Sequence, residues 1–111
     1  MDLLNTELQA LMALADARRK ALDLNTVERC AIFSAKSGKC SENCAYCAQS
    51  AFHTSKSPVY PMKSVAEILE AAHKAHNIGA QRFGIVTSGN VLNDRELGTL
   101  AKAIEQIRLH L

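Results

Sequence analysis

The sequence predicts an α/β fold made of two β–loop–α units behind an N-terminal helix. Three observations carry that expectation. Two short runs with strand character, Cys30 to Ala35 and Arg82 to Thr87, are each followed by a helix pattern that opens on a capping box. The apolar period switches between the strand runs and the helix runs, so strand and helix alternate and the strands should lie parallel. A long segment after the first strand, Lys36 to Pro61, holds three of the four cysteines.

Taken in order, residues 3 to 22 read as an amphipathic helix with Leu4, Leu8, Leu11 and Ala15 on one face. Thr6 with Gln9 has capping-box spacing, and Asp2 is an alternative start. Arg18, Arg19 and Lys20 complement the dipole at its C-terminal end. Such a basic end serves as a solvated terminus or as a docking patch. Asp23 to Thr26 is a short break, and Cys30 to Ala35 forms the first strand. Cys30 stands at that strand's far end from the other cysteines, as a buried structural thiol or as a fourth metal ligand.

Lys36 to Pro61 is a loop, and a loop of that length in a small domain usually carries function. Its second half is polar, contains His53 as a ligand or acid–base candidate, and ends in a Pro-flanked turn. Ser64 and Glu67 cap the next helix, which carries the stripe Val65, Ile68, Leu69 and Ala72 and stops before Gly79. His73 and His76 lie three apart near its end without a third ligand, so a helix C-terminus explains them better than a metal does. After the second strand comes the turn Ser88-Gly89-Asn90. Asn93 and Glu96 then cap a helix whose buried face is expected to hold Leu97, Leu100, Ala101, Ile104, Ile107 and Leu111.

Parallel strands joined by right-handed crossovers place cofactor sites at their C-terminal ends. Both the cysteine loop and Thr87-Ser88-Gly89 leave from that edge. Two strands cannot close a sheet, so the pattern reads as the first two β/α units of a (β/α)8 TIM-type barrel, a partial barrel belonging to a longer protein. The expected organisation is an N-terminal helical extension over 1–26 and part of a barrel domain over 27–111.

Cys40, Cys44 and Cys47 are spaced C-x3-C-x2-C, too close for a disulfide framework in a chain without an export signal. Three thiolates can hold three corners of a [4Fe–4S] cluster and leave one iron open to a small chelating molecule. Other readings remain at this point. Zinc could take the three thiolates with His53 or Cys30. Cys44 and Cys47 could form a redox pair, although that leaves Cys40 unused. Plain buried thiols fit poorly among Lys39, Ser41, Glu42 and Asn43.

With 13 basic and 11 acidic residues spread along 111, the net charge of +2 does not suggest a nucleic-acid or membrane surface. Free thiols without a basic, apolar leader imply a reducing, cytoplasmic setting.

The spacing, with Tyr46 just before the last cysteine, resembles the radical S-adenosylmethionine superfamily. The runs Ala35-Lys36-Ser37-Gly38-Lys39-Cys40, Cys44-Ala45-Tyr46-Cys47-Ala48-Gln49-Ser50, Val59-Tyr60-Pro61 and Gly79 to Gly89 resemble, in that order, its biotin synthase family. The resemblance covers roughly residues 27 to 111. It implies a barrel enzyme that inserts sulfur into dethiobiotin, a radical sulfurtransferase when full length. An open cluster iron would bind S-adenosylmethionine, whose reductive cleavage yields a 5′-deoxyadenosyl radical.

Carried over residue by residue, Cys40, Cys44 and Cys47 match the cluster ligands, Tyr46 the aromatic beside the adenine, and Thr87, Ser88 and Gly89 the strand end that meets the methionine part. Ser34 and Asn90 stand where that family commonly has Asn and Arg. The resemblance also implies an electron donor such as flavodoxin or ferredoxin, a homodimer at full length, and an auxiliary iron–sulfur cluster. No cysteine follows Cys47, so the ligands of that auxiliary cluster are not in this chain, and these 111 residues alone are expected to be inactive. The alternative from another class is a small zinc-stabilised binding module without catalysis.

Overall fold

The computed structural model describes residues 3–22 and 26–111. A single 3-10 turn, Leu3–Asn5, precedes α1 (Leu8–Ala21); then follow β1 (Cys30–Lys36), α2 (Val65–Asn77), β2 (Arg82–Thr87) and α3 (Asp94–His110). The expected alternation of strand and helix is present. β1 and β2 pair in parallel, from Cys30 opposite Arg82 to Ser34 opposite Val86. The register then slips, so that Lys36 meets Thr87 and Ala35 is carried past.

Alternation of side chains along the strands decides what is covered. Ala31, Phe33 and Ala35 of β1 share a face with Phe83 and Ile85 of β2. α2 and α3 pack on that face, around Ala35, Ile68 and Ala103. The rings of Phe33 and Phe83 stack with centroids 6.3 Å apart. The opposite face carries Ile32, Val86 and Cys30, all exposed. Cys30 is therefore not the buried thiol expected of it. It lies on the open face at the N-terminal end of β1, where nothing among the described residues covers it.

The capping boxes of α2 and α3 form as the sequence indicates, Ser64 with Glu67 and Asn93 with Glu96. α2 ends in a Schellman motif: Gly79 donates its N–H to the His76 carbonyl at 2.8 Å and Ala80 to that of Ala75 at 3.0 Å. Gly79 takes φ +77° there, which a glycine adopts freely. The Arg29 guanidinium donates to the Ile78 carbonyl at 2.9 Å and ties this helix end to the entry of β1.

Two helix expectations need correction. α1 starts after Glu7, not Thr6, and Glu7 makes no side-chain cap bond. With Glu7 at the N-cap, Gln9 falls at the second helical position and the box spacing is lost. None of the described residues of α1 is buried, so its apolar face is uncovered. The alternative start at Asp2 and most of the break at Asp23–Thr26 lie outside the described residues.

In α3 the buried stripe is Ala103 with the half-buried Glu96, Thr99, Leu100 and Ile107, while Leu97, Ala101, Ile104 and Leu111 are exposed. This helix carries two adjoining apolar stripes, and a two-stranded sheet is wide enough to cover one. The Cα radius of gyration, 19.1 Å, exceeds the ~13 Å of a closed domain of this length.

Candidate metal-cluster site

The loop after β1 leaves and returns at one point. Ser37 and Tyr60 exchange backbone hydrogen bonds of 3.1 Å in an antiparallel bridge, and the Tyr60 hydroxyl donates to the Ser34 carbonyl at 3.1 Å. Lys63 N–H donates to the Ala35 carbonyl at 2.7 Å, where the register slip has freed it. The segment between is thus a closed loop standing on the C-terminal end of the sheet.

All three motif cysteines lie within it, and all three are free thiols. A smaller ring inside the loop holds Cys40. Its N–H donates to the Gln49 carbonyl at 2.9 Å, and its own carbonyl accepts from Ala51 N–H at 2.8 Å. Cys47 closes a turn by donating its N–H to the Cys44 carbonyl at 3.0 Å. Cys40 is buried at 9 % exposure, Cys47 is half-buried and Cys44 is exposed. All three belong to the one loop that stands on the sheet end. Among the described residues, though, no three His, Cys, Asp or Glu side chains stand together in metal-holding geometry.

β2 meets this loop from the side. Ser88 donates its N–H to the Lys36 carbonyl at 2.9 Å and its hydroxyl to the Gly38 carbonyl at 2.8 Å. The Asn90 amide donates to the Glu42 carboxylate at 2.7 Å. The expected convergence of both strand ends on one edge is therefore present. Thr87 is half-buried at the end of β2, Ser88 is buried, and Gly89 is exposed with φ +101°. Tyr46 is 95 % exposed, away from any wall.

His53 is placed otherwise than as a ligand. Its Nε2 lies 3.0 Å from the Cys44 carbonyl oxygen, and a carbonyl can only accept, so that nitrogen carries the proton and ties the loop. Cys30 sits six residues along β1 from the cysteine edge, about 20 Å away. His73 and His76 are exposed on α2.

Charge at the site edge comes from Lys36 and Glu96, whose Nζ and Oε1 are 2.8 Å apart with 24 % and 15 % side-chain exposure. The Lys36 ammonium, with the Asn93 N–H behind it, holds the Glu96 carboxyl below its ordinary pKa. This pair joins the end of β1 to the start of α3.

The sequence reading missed the polar side chains that hold the loop. The buried polar residues among those described are Ser37, Ser50 and Ser88, and all three bond within or onto this loop. Gln49 also holds the loop, through its side-chain oxygen, to Ser37 and Gly38. Its partners are eleven and twelve residues away in the chain, and no local pattern marks them.

Residues 35–111 match the family model described as the Radical SAM superfamily. The chain belongs to that superfamily. Among curated proteins it is similar to the biotin synthase of Anaeromyxobacter sp. (strain K), 46 % identical over 104 residues, covering 92 % of this chain and 29 % of that protein. It is likewise similar to the biotin synthases of Citrifermentans bemidjiense, at 43 % identity with 93 % and 31 % covered, and of Oleidesulfovibrio alaskensis, at 49 % with 71 % and 24 % covered. The chain spans less than a third of the length of these relatives. No helix among the described residues is long and apolar enough to cross a membrane.

Proposed function

We propose that this chain is the portion of a biotin synthase that holds a [4Fe–4S] cluster and S-adenosylmethionine, within a protein that inserts sulfur into dethiobiotin. The observation that supports it most is the placement of Cys40, Cys44 and Cys47 on one closed loop at the strand ends, in a chain whose relatives carry that name. The donor set suits the group: three free thiols, no fourth cysteine within reach, and a loop braced by backbone bonds. When bound, such a cluster supplies a low-potential electron for cleaving a sulfonium.

The chain's own residues then have separate tasks. Cys40, Cys44 and Cys47 are the ligands. Tyr46 supplies its backbone beside the adenine. Thr87 and Gly89 offer backbone groups at the strand end for the methionine part, while the Ser88 hydroxyl is committed to Gly38. Residues 1–26 form a helical extension and 27–111 part of a (β/α)8 barrel, whose further units would cover the open sheet face and hold the auxiliary cluster. In the full-length protein the partners are an electron donor such as flavodoxin or ferredoxin and a second copy, in the cytoplasm. This stretch alone is inactive in biotin formation.

The zinc alternative is weakened by two placements, Cys30 at the opposite end of β1 and His53 on a carbonyl. Anaerobic reconstitution with iron and sulfide separates the two. A brown protein with the paramagnetic signal of a reduced [4Fe–4S] cluster, altered by added S-adenosylmethionine, is the expected result. A colourless protein that retains zinc would overturn the proposal.

A further inference from the structure

Gly38 is held at both ends of its backbone. Its N–H donates to Gln49 Oε1, and its carbonyl accepts the Ser88 hydroxyl. The N–H can only donate, which fixes the facing side-chain atom of Gln49 as the amide oxygen. The Ser37 hydroxyl lies 2.9 Å from the same oxygen and 2.6 Å from the Pro58 carbonyl, so its one proton is shared between them. The backbone carbonyl of Gln49 meanwhile accepts the Cys40 N–H. One residue thus grips the chain at Ser37, Gly38 and Cys40.

What it grips is a strained turn. Gly38 and Lys39 are both left-handed, with φ +79° and +53°, and Lys39 is the one non-glycine residue with positive φ among those described. A lysine in that region resists its conformation and persists where neighbours over-determine it. The turn sets the direction in which Cys40 leaves the sheet.

We propose that Gln49 is a positioning residue that locks the Gly38–Lys39 turn and so presets Cys40 for metal before any metal arrives. The inference rests on the reading of Cys40 as a cluster ligand. Its two acceptor oxygens have separate tasks: the side-chain oxygen orders the turn, and the backbone oxygen orders the cysteine itself. The remaining thiols need no such device. Cys44 and Cys47 share a turn of their own, and Cys44 is open to solvent.

The test compares the wild-type chain with Gln49→Met, which keeps length but loses the acceptor, and Gln49→Glu, which keeps an acceptor. Metal-free protein is alkylated with iodoacetamide, and each cysteine is followed by peptide mass. Cys40 should react slowest in wild type, with exposed Cys30 and Cys44 as internal references. Gln49→Met should speed Cys40 roughly 10- to 100-fold without changing Cys30, and Gln49→Glu should restore protection. Iron–sulfide uptake should fall in Gln49→Met and recover in Gln49→Glu.

Hydrogen exchange at the Gly38 amide gives a readout on the unaltered chain, should Gln49→Met fail to fold; slow exchange supports the lock. Unchanged Cys40 protection in Gln49→Met, no recovery in Gln49→Glu, or free exchange at Gly38 would each overturn the proposal. A wild-type chain that takes up no iron would instead overturn the cluster reading, with the alkylation result still deciding the lock.

Discussion

An ideal Cβ placed on Gly38 would lie 2.6 Å from Cγ2 of Val59. That distance is inside any real carbon–carbon contact, and Gly38 also has φ +79°. Gly38→Ala therefore meets two penalties, the left-handed backbone and the clash. Together they should cost about 1–3 kcal/mol. Val59→Ala in the same chain removes the two methyl contacts, leaving only its Cβ at 3.1 Å, and leaves the dihedral, so the double variant should recover part of the loss. Thermal unfolding of the three variants measures the split. Equal stability of Gly38→Ala and wild type would mean that the turn is not held as described.

The three motif cysteines should be individually required for the cluster. Cys40→Ala, Cys44→Ala and Cys47→Ala should each reduce stable iron–sulfur content to background, whereas Cys30→Ala should leave it unchanged. The ground for the second half is geometric: Cys30 is exposed at the other end of β1, on the uncovered face. Iron and sulfide analysis after gel filtration checks both halves. Loss of the cluster in Cys30→Ala with retention in Cys40→Ala would reverse the assignment.

What could be read from the chain was what local chemistry decides. Ser64 with Glu67 and Asn93 with Glu96 carry their capping signal within four residues, and both boxes form. The two strands stand out by composition, and a helix between them leaves parallel pairing as the simple outcome. The cysteine loop stood out because the C-x3-C-x2-C spacing lies within eight residues of sequence. Burial did not, because it depends on what lies opposite. Cys30 and Ile32 have the composition of a covered strand, yet among the described residues no second layer lies on their face. Leu97 and Ile104 belong to a stripe as apolar as the one that packs, and the sheet's width decided between them. Gln49 illustrates the same limit for the site, since its hydrogen-bond partners meet it only after the loop has closed on Ser37 and Tyr60.

The open face should make the isolated chain self-associate. Ile32 is 75 % exposed and Val86 47 % exposed on the open face of a two-stranded sheet whose outer edges pair with no further strand among the described residues. Apolar patches and free strand edges of this kind draw partners. Sedimentation velocity should show a mass that rises with concentration. Ile32→Lys puts a charge on that face at a position where nothing is packed, and it should shift the distribution towards monomer. A monodisperse monomer across the concentration range would show that this face is content in water.

The N-terminus of α2 should confer a pH dependence with a defined sign. The Glu67 carboxyl is drawn down from an ordinary value of 4.5 to about 2, first by the Lys63 ammonium, then by the Ser64 N–H and hydroxyl. The contacts are 2.8 Å to Lys63 Nζ, 2.9 Å to the Ser64 backbone nitrogen and 2.8 Å to its Oγ. A carboxyl with a depressed folded-state pKa adds stability that is complete above the unfolded value and is lost as pH falls through the folded one. The contribution should thus be constant above 4.5 and fade between 4.5 and about 2. Glu67→Gln cannot ionise, and the other carboxylates titrate alike in both chains. The difference in thermal midpoint between wild type and Glu67→Gln should therefore be flat near neutrality and close on acidification. Lys63 is partly exposed, so salt should shrink its share and leave that of the Ser64 bonds. A gap that widened as pH fell, or one that vanished entirely in salt at neutral pH, would show that the box does not hold the charge as the geometry indicates.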